Sequence, residues 1–269
     1  MEKISHVALS ECRNLLSSDG PSYSSIVIGE SKGDVWIDNL SNPTLALVYS
    51  PAVGGFSIMG DPDDTSVFEN LKEFLTNDLF SMLKRKGIND FEFSVESERT
   101  MSSLLNLFSD RVMSQEVEYF YRKSSVGKVT ETDQYYVLKI DTDFITQLQS
   151  GCYDNPELLT EKLLGSWETI EKFLSRSVGY VAIHEKSIVA LIIGTARFQN
   201  VIPIDIETNE NHRKNGLALT LTQYFVNECI ERGLIAQWNC VESNIGSRKT
   251  VEKAGFDFMK KKTYYWFDI

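Results

Sequence analysis

Apolar positions along the first half of the chain come in short bursts that alternate between helical and strand-like spacing. Ile4, Val7, Ala8, Cys12, Leu15 and Leu16 follow a helical period, and Ser18-Asp19-Gly20-Pro21 then reads as a stop. Strand-like runs follow at Val35–Ile37, Thr44–Tyr49 and Gly55–Gly60. Asp61-Pro62-Asp63-Asp64 marks a turn, and Val67 to Lys86 has helical periodicity closed by Gly87. Phe91–Val95 alternates as a strand, Met101–Phe108 is helical, and Val117–Tyr121 is again a strand.

The segment Lys123 to Asp133 is rich in Ser, Thr and Gly and holds two valines as its only large apolar residues, which marks it as a domain boundary. The expected domains are residues 1–128 and 134–269. In the second, Tyr135–Ile140 is a strand and Asp143–Leu174 carries one or two helices. Gly179–His184 and Ile188–Phe198 form a hairpin turning at Glu185-Lys186-Ser187. Val201–Thr208 is an apolar strand, Asn209–Asn215 a loop, and Leu217–Arg232 a helix capped by Gly233. Ile235–Val241, Ser247–Ala254 and Phe258–Phe267 complete the chain as strand, helix and a terminal strand or hairpin.

The two halves echo one another. Val95-Glu96-Ser97 precedes a short helix and then Tyr119-Phe120-Tyr121, and Val241-Glu242-Ser243 precedes a short helix and then Tyr264-Tyr265-Trp266. Upstream of each tripeptide the order is also shared: strands, a long helix ending in glycine, then a strand. The chain reads as two related α/β halves.

Composition narrows the function classes. With 42% hydrophobic and 11% aromatic residues the chain can build real cores. No apolar run reaches the roughly 18 residues of a membrane helix, and the first residues are too polar for a secretory signal. The net charge is −11, and residues 1–133 carry 21 acidic against 12 basic side chains. That balance argues against nucleic acid, whose phosphates need Lys/Arg stripes, and would suit a cationic substrate, although solubility explains it equally well. Cys12, Cys152, Cys229 and Cys240 are widely separated, which fits reduced thiols in a cytoplasmic protein, with neither a disulfide framework nor a metal site.

The chemistry concentrates in Arg213-Lys214-Asn215-Gly216-Leu217-Ala218. A loop between strand and helix exposes successive backbone N–H groups, and the helix N-terminus adds partial positive charge, so the pair is an anion site. Gly216 allows close backbone approach, Ala218 keeps the helix start small, and Arg213 and Lys214 add charge at the rim.

The segment Ile204–Phe256 resembles the GCN5-related N-acetyltransferase (GNAT) superfamily. The match comprises a strand, an Arg-x-x-Gly-x-Ala loop, a long helix, a second strand, Asn244, and Gly255-Phe256 eleven residues beyond that Asn. The likeness is strong from about residue 135 to 269; over the first half it rests on element order alone. It implies a GNAT fold: a mixed central sheet flanked by helices, in two tandem GNAT-like domains, the first without the loop. It implies transfer of the acetyl group of acetyl-CoA to a primary amine, with a small or cationic amino compound as acceptor. In the family the loop amides of Arg213, Lys214, Asn215, Gly216, Leu217 and Ala218 would hold the diphosphate. The pantetheine arm would lie like an added strand along the strand before the loop, at Ile206 and Thr208, and the splay around Glu207-Thr208 would present an N–H to the thioester oxygen. Asn244 would bond that arm, with Ser247 at the small-residue position.

The amine must lose a proton, and Glu207 stands where the family often places a base, with Asp205 on the same parity. Facing one cleft, the two carboxylates would repel and one pKa would rise, or they would hold a cationic substrate. One position departs from the family: the tyrosine usually seven residues after the Asn is Val251 here. Tyr264, Tyr265 and Cys240 are the substitute acids, against a packing role for the tyrosines and a buried thiol for Cys240. Arg248 and Lys249 could meet the 3′-phosphate or simply face solvent. A non-catalytic acyl-CoA-binding sensor or interaction module is the alternative function, and a homodimer is compatible with the reading.

Overall fold

The computed structural model of the chain describes residues 1–4, 12–130, 132 and 134–269. They form two compact units: Met1–Val117 with Lys262–Ile269, and Glu118–Lys261.

In the first unit, β1 (Glu2–Ile4) and α1 (Pro21–Val27) accompany an antiparallel run of β2 (Asp34–Ile37), β3 (Leu45–Ser50) and β4 (Gly55–Gly60). The next strand, β5 (Asp90–Val95), lies parallel to β4 and needs a crossover. That crossover is α2 (Ser66–Phe74) and α3 (Phe80–Arg85), fused through a π-helical turn at Leu75–Leu79. It covers the extent predicted for a single helix. α4 (Glu98–Leu107) follows, with the Ser97 hydroxyl accepting from the Thr100 N–H at 3.3 Å as its N-cap. Strand alternation sorts the core: Leu45 and Leu47 pack with Phe91, Phe93 and Phe267, while Ala46 and Val48 pack with Ile26 and Val27 of α1.

The start of the chain differs from its helical spacing. Ile4 belongs to β1 and Arg13–Leu15 is one 3-10 turn; residues 5–11, with His6, lie outside the described residues. Gly20-Pro21, read as a stop, is a start. Pro21 occupies the first turn of α1, where its missing N–H leaves no intrahelical bond unmade.

The second unit takes β6 (Ser114–Lys123) from Glu118 onward, then β7 (Tyr136–Lys139), α5 (Thr142–Gln149), α6 (Pro156–Ser166) and α7 (Ile170–Arg176). β8 (Gly179–His184), β9 (Ser187–Gly194), β10 (Val201–Thr208), α8 (Leu217–Glu231), β11 (Ile235–Val241), α9 (Ile245–Lys253) and β12 (Asp257–Asp268) complete the order. Its strands run β6-β11-β10-β9-β8-β7. From Ile188 onward β9 is apolar because both faces are covered. Val189 and Ile192 join the core under α8 and α9, and Ile188, Leu191 and Ile193 join that under α5–α7.

Each unit closes its sheet with a strand from the other half of the sequence. Glu118–Lys123 pairs antiparallel with β11, and Tyr264–Asp268 pairs antiparallel with β5. The division at Val117/Glu118 therefore does not coincide with the compositional boundary at 128–134. Residues 127–130 form a strap along α8. Gly127 exchanges two 2.9 Å hydrogen bonds with the Asn227 amide, the Thr130 N–H donates to Gln223 Oε1, and the Thr220 hydroxyl donates to the Thr130 carbonyl. Small polar residues suit such a strap because they leave its main chain open to side-chain partners.

Candidate active site

β10 and β11 begin as a parallel pair and then separate. They are in register from Val201↔Ile235 to Pro203↔Gln237. Beyond that point β10 continues against β9, from Ile204↔Gly194 to Thr208↔Ala190. β11 continues against β6, from Trp238↔Tyr121 to Val241↔Glu118. The side of β10 facing the gap follows from its hydrogen bonds. Ile235 N–H donates to the Asn200 carbonyl on the β11 side, while Thr195 N–H donates to the Pro203 carbonyl on the β9 side. Main-chain groups alternate along a strand, so Ile204, Ile206 and Thr208 turn theirs into the gap. The splay thus opens at Ile204, ahead of the expected Glu207-Thr208, and the expected contributors Ile206 and Thr208 both face it.

The loop after β10 is held from within. Asn209 Oδ1 accepts the Asn211 N–H at 3.0 Å, capping a 3-10 turn over Glu210–His212. Arg213 Nε donates to the Thr208 carbonyl at 3.2 Å, and its guanidinium lies 3.8 Å from Glu210. The Asn215 amide donates to the His212 carbonyl and to the Tyr135 hydroxyl, both at 3.1 Å. Lys214 (φ +68°) and Gly216 (φ +81°) are both left-handed. Turn conformations of this kind can aim backbone N–H groups at an anion.

Gly216 is the N-cap of α8, and no side chain caps the helix. The first-turn N–H groups, from Leu217 to Leu219, have no intrahelical acceptor. A Cβ at Gly216 would meet nothing within 4 Å, so space is open beside the helix start at this residue. Leu217 contributes its main chain only, since its side chain is buried under α8.

On β11 and α9 the predicted residues divide by role. Asn244 caps α9, its Oδ1 accepting the Ser247 N–H at 3.0 Å, which leaves the amide Nδ2 as its donor. Ser247 Oγ accepts from Trp238 Nε1 at 2.8 Å, so this hydroxyl ties α9 to β11. Arg248 lies over the Tyr119 ring at 4.6 Å. Cys240 is buried, and burial pushes its thiol pKa up, in keeping with a packed thiol. Val251 is fully buried in the α8–α9 core.

Asp205 and Glu207 do share a face, the one toward α6, but they are not left to repel each other. Lys162 of α6 places its ammonium 2.8 Å from Asp205 Oδ2 and 2.9 Å from Glu207 Oε2. Burial pulls the Lys162 pKa down, and the bonds and charges of both carboxylates outweigh it, so the net displacement is upward. The expected repulsion is thereby replaced by a three-centre ion cluster. Sequence spacing gave no sign of Lys162; only its place beside Leu159 and Leu163 on the buried side of α6 brings it there.

Tyr264 and Tyr265, the expected substitute acids, belong to the first unit. The Tyr264 hydroxyl donates to Glu116 Oε2 at 2.7 Å, and its ring stacks on Trp266. Tyr265 stacks on Phe93, with ring centroids 6.0 Å apart. Neither is among the residues of the unit that carries the loop. Among the described residues no group of three or more His, Cys, Asp or Glu could hold a metal ion, and no helix is long and apolar enough to cross a membrane.

The GNAT acetyltransferase family model matches residues 16–265. The chain is 27% identical over 176 residues to the uncharacterized N-acetyltransferase YdfB of Bacillus subtilis, covering 63% of this chain and 64% of that protein. It is 31% identical over 75 residues to the uncharacterized N-acetyltransferase YjdG of the same organism, covering 27% of this chain and 45% of the relative. The matches thus span less than two thirds of either relative. Among solved structures, a GCN5-related N-acetyltransferase-like protein from Streptococcus suis aligns with TM-score 0.60 at 19% identity, over 87% of this chain and 88% of that one. A tandem GNAT protein from the clavulanic acid biosynthesis pathway aligns with TM-score 0.54 at 11% identity, over 89% and 83%. At such identities the likeness is one of fold.

A mixed sheet flanked by helices, splayed beside a loop that leads into an uncapped helix N-terminus, is a fold shared with solved GNAT proteins. The chain belongs to the GNAT acetyltransferase family.

Proposed function

We propose that this protein transfers the acetyl group of acetyl-CoA to the primary amine of a small, positively charged acceptor. The observation that carries the reading is the gap between β10 and β11 beyond Pro203, with Glu207 on one of its two strands and the uncapped start of α8 after the loop that follows. The residues fit coenzyme A. The first-turn N–H groups of α8 and the left-handed Lys214 and Gly216 suit a diphosphate, and the gap-facing main chain of Ile206 and Thr208 suits an amide-bearing arm. The Asn244 Nδ2 donor suits the same arm. Acetyl-CoA supplies an activated acyl carbon and a thiolate that leaves readily.

The protein's part is to orient and to move one proton. Glu207 accepts it from the acceptor's ammonium, directly or through water, and the Thr208 N–H faces the side of the strand where a thioester oxygen would bear charge. Tyr264 and Tyr265 have no part in this scheme, and Val251 offers no proton, so the thiolate departs without a dedicated acid. The free cysteines suit a reducing compartment, and we place the protein in the cytoplasm.

The test is thiol release from acetyl-CoA over a panel of small amines, with calorimetry for coenzyme A against ATP. Glu207→Gln is expected to lower kcat/KM by about 100-fold. Tight coenzyme A binding without stimulated release by any amine would instead favour the sensor reading, which the burial of Val251 supports.

A further inference from the structure

The Lys162–Asp205–Glu207 cluster points to a charge rule for the acceptor, resting on the proposed amine transfer. Asp205 and Glu207 sit two residues apart on β10 with their side chains on the α6 face, next to the gap-facing Ile206 and Thr208. Side chains of the cluster keep 27% (Lys162), 34% (Asp205) and 46% (Glu207) of their exposure, so a solute can reach the carboxylates.

Lys162 reaches them from a rigid element. Leu159 and Leu163 of α6 are fully buried, and they fix the helix face from which the lysine extends. Its ammonium is within hydrogen-bond distance of both carboxylates at once. β9, the strand paired with this part of β10, carries no ionisable side chain from Ser187 to Gly194. The cluster's own charge is therefore two carboxylates against one ammonium, a net −1.

We infer that Lys162 is a specificity-determining residue, an internal ammonium that takes up one of the two carboxylate charges and fits the site to an acceptor bearing a single ammonium group. A diamine brings two charges to a site with one left to offer. Its second ammonium gains nothing and meets Lys162 as a like charge. Without Lys162 the carboxylates present two negative charges two residues apart on one strand face, a geometry that favours a diamine.

The experiment uses 1-aminobutane and 1,4-diaminobutane as probes, with their Kd measured by calorimetry on the full chain in saturating coenzyme A. Thiol release is measured in parallel. The wild type is expected to bind the diamine no more than about twofold better than the monoamine. Lys162→Met and Lys162→Gln are expected to raise the diamine preference about fivefold, within the range that partly exposed charge pairs support. Lys162→Arg keeps the charge and is expected to keep the wild-type ratio, which a merely structural role for Lys162 would not require. Either neutral variant can carry the test if the other fails to fold. An unchanged ratio in the folded neutral variants overturns the proposal, as does an absence of amine binding in all of them. If the ratios shift as expected but no amine stimulates thiol release, the acetyltransferase reading fails and the charge rule stands.

Discussion

The Asn215 side-chain amide donates a hydrogen bond to the Tyr135 hydroxyl at 3.1 Å across 80 positions of sequence. The same hydroxyl shares a 3.2 Å hydrogen bond with His212 Nδ1, so one phenol braces both ends of the turn that leads into Gly216. Tyr135→Phe removes both bonds and keeps the ring in its packing with His184 and His212. The partners are solvent-accessible, so global stability is expected to fall by about 1 kcal/mol or less. The loop should lose order, and the Kd for coenzyme A, measured by calorimetry, is expected to rise about tenfold.

At Gly216 the constraint is the backbone alone. Its φ of +81° disfavours any side chain, yet a Cβ there would touch no protein atom. Gly216→Ala should cost about 1–2 kcal/mol of stability in urea unfolding, from the left-handed conformation. A loss of coenzyme A affinity beyond tenfold would then report the ligand's close approach. Retention of wild-type affinity would show that the diphosphate lies elsewhere.

Gly194 is the opposite case, a glycine required by its neighbours. A Cβ would stand 2.5 Å from Ile202 Cγ2 and 2.5 Å from Ser177 Oγ. The Gly194 carbonyl accepts from Trp167 Nε1 at 2.9 Å and from the Ser177 hydroxyl at 2.7 Å. Gly194→Ala is expected to destabilise the protein by about 2–3 kcal/mol through overpacking, read as a lower urea midpoint with unchanged slope.

Acid sensitivity is expected from Glu228. Burial raises its pKa, but hydrogen bonds from Lys139 and Tyr180 and the charges of Lys139 and Arg232 outweigh that, leaving it below the ordinary 4.5. Lys139 Nζ is 2.6 Å and the Tyr180 hydroxyl 2.8 Å from its oxygens. A carboxylate depressed in the folded state adds stability above its unfolded pKa, and that stability is lost as pH falls through the folded value. Unfolding midpoints should therefore drop below about pH 4.5, and Glu228→Gln should flatten that drop while lowering stability at neutral pH.

Much of the site was legible because its signals are local. Strand parity places Asp205 and Glu207 on one face, and the strand, loop and glycine before Leu217 mark a helix start that carries no side-chain cap. Asn244 was singled out for the cofactor arm, and the structure adds its N-cap bond to Ser247. The stop read at Ser18-Asp19-Gly20-Pro21 is a helix start for a local reason too: Gly-Pro both ends and begins helices, and the residues beyond it decide.

The Arg213–Ala218 loop and the sheet-and-helix order around it were determined by the sequence itself, because backbone dihedrals and i-to-i+4 periodicity depend on near neighbours. Tertiary structure alone decided that Lys162, 43 positions before Asp205, would sit between two carboxylates, and that each unit would close on a strand from the other half. It also decided that Ser247 would bond Trp238 and that Tyr264 and Tyr265 would pack in the first unit. These outcomes follow from which apolar faces bury together, and burial brings distant charged and polar side chains into reach without leaving a periodic trace in the chain.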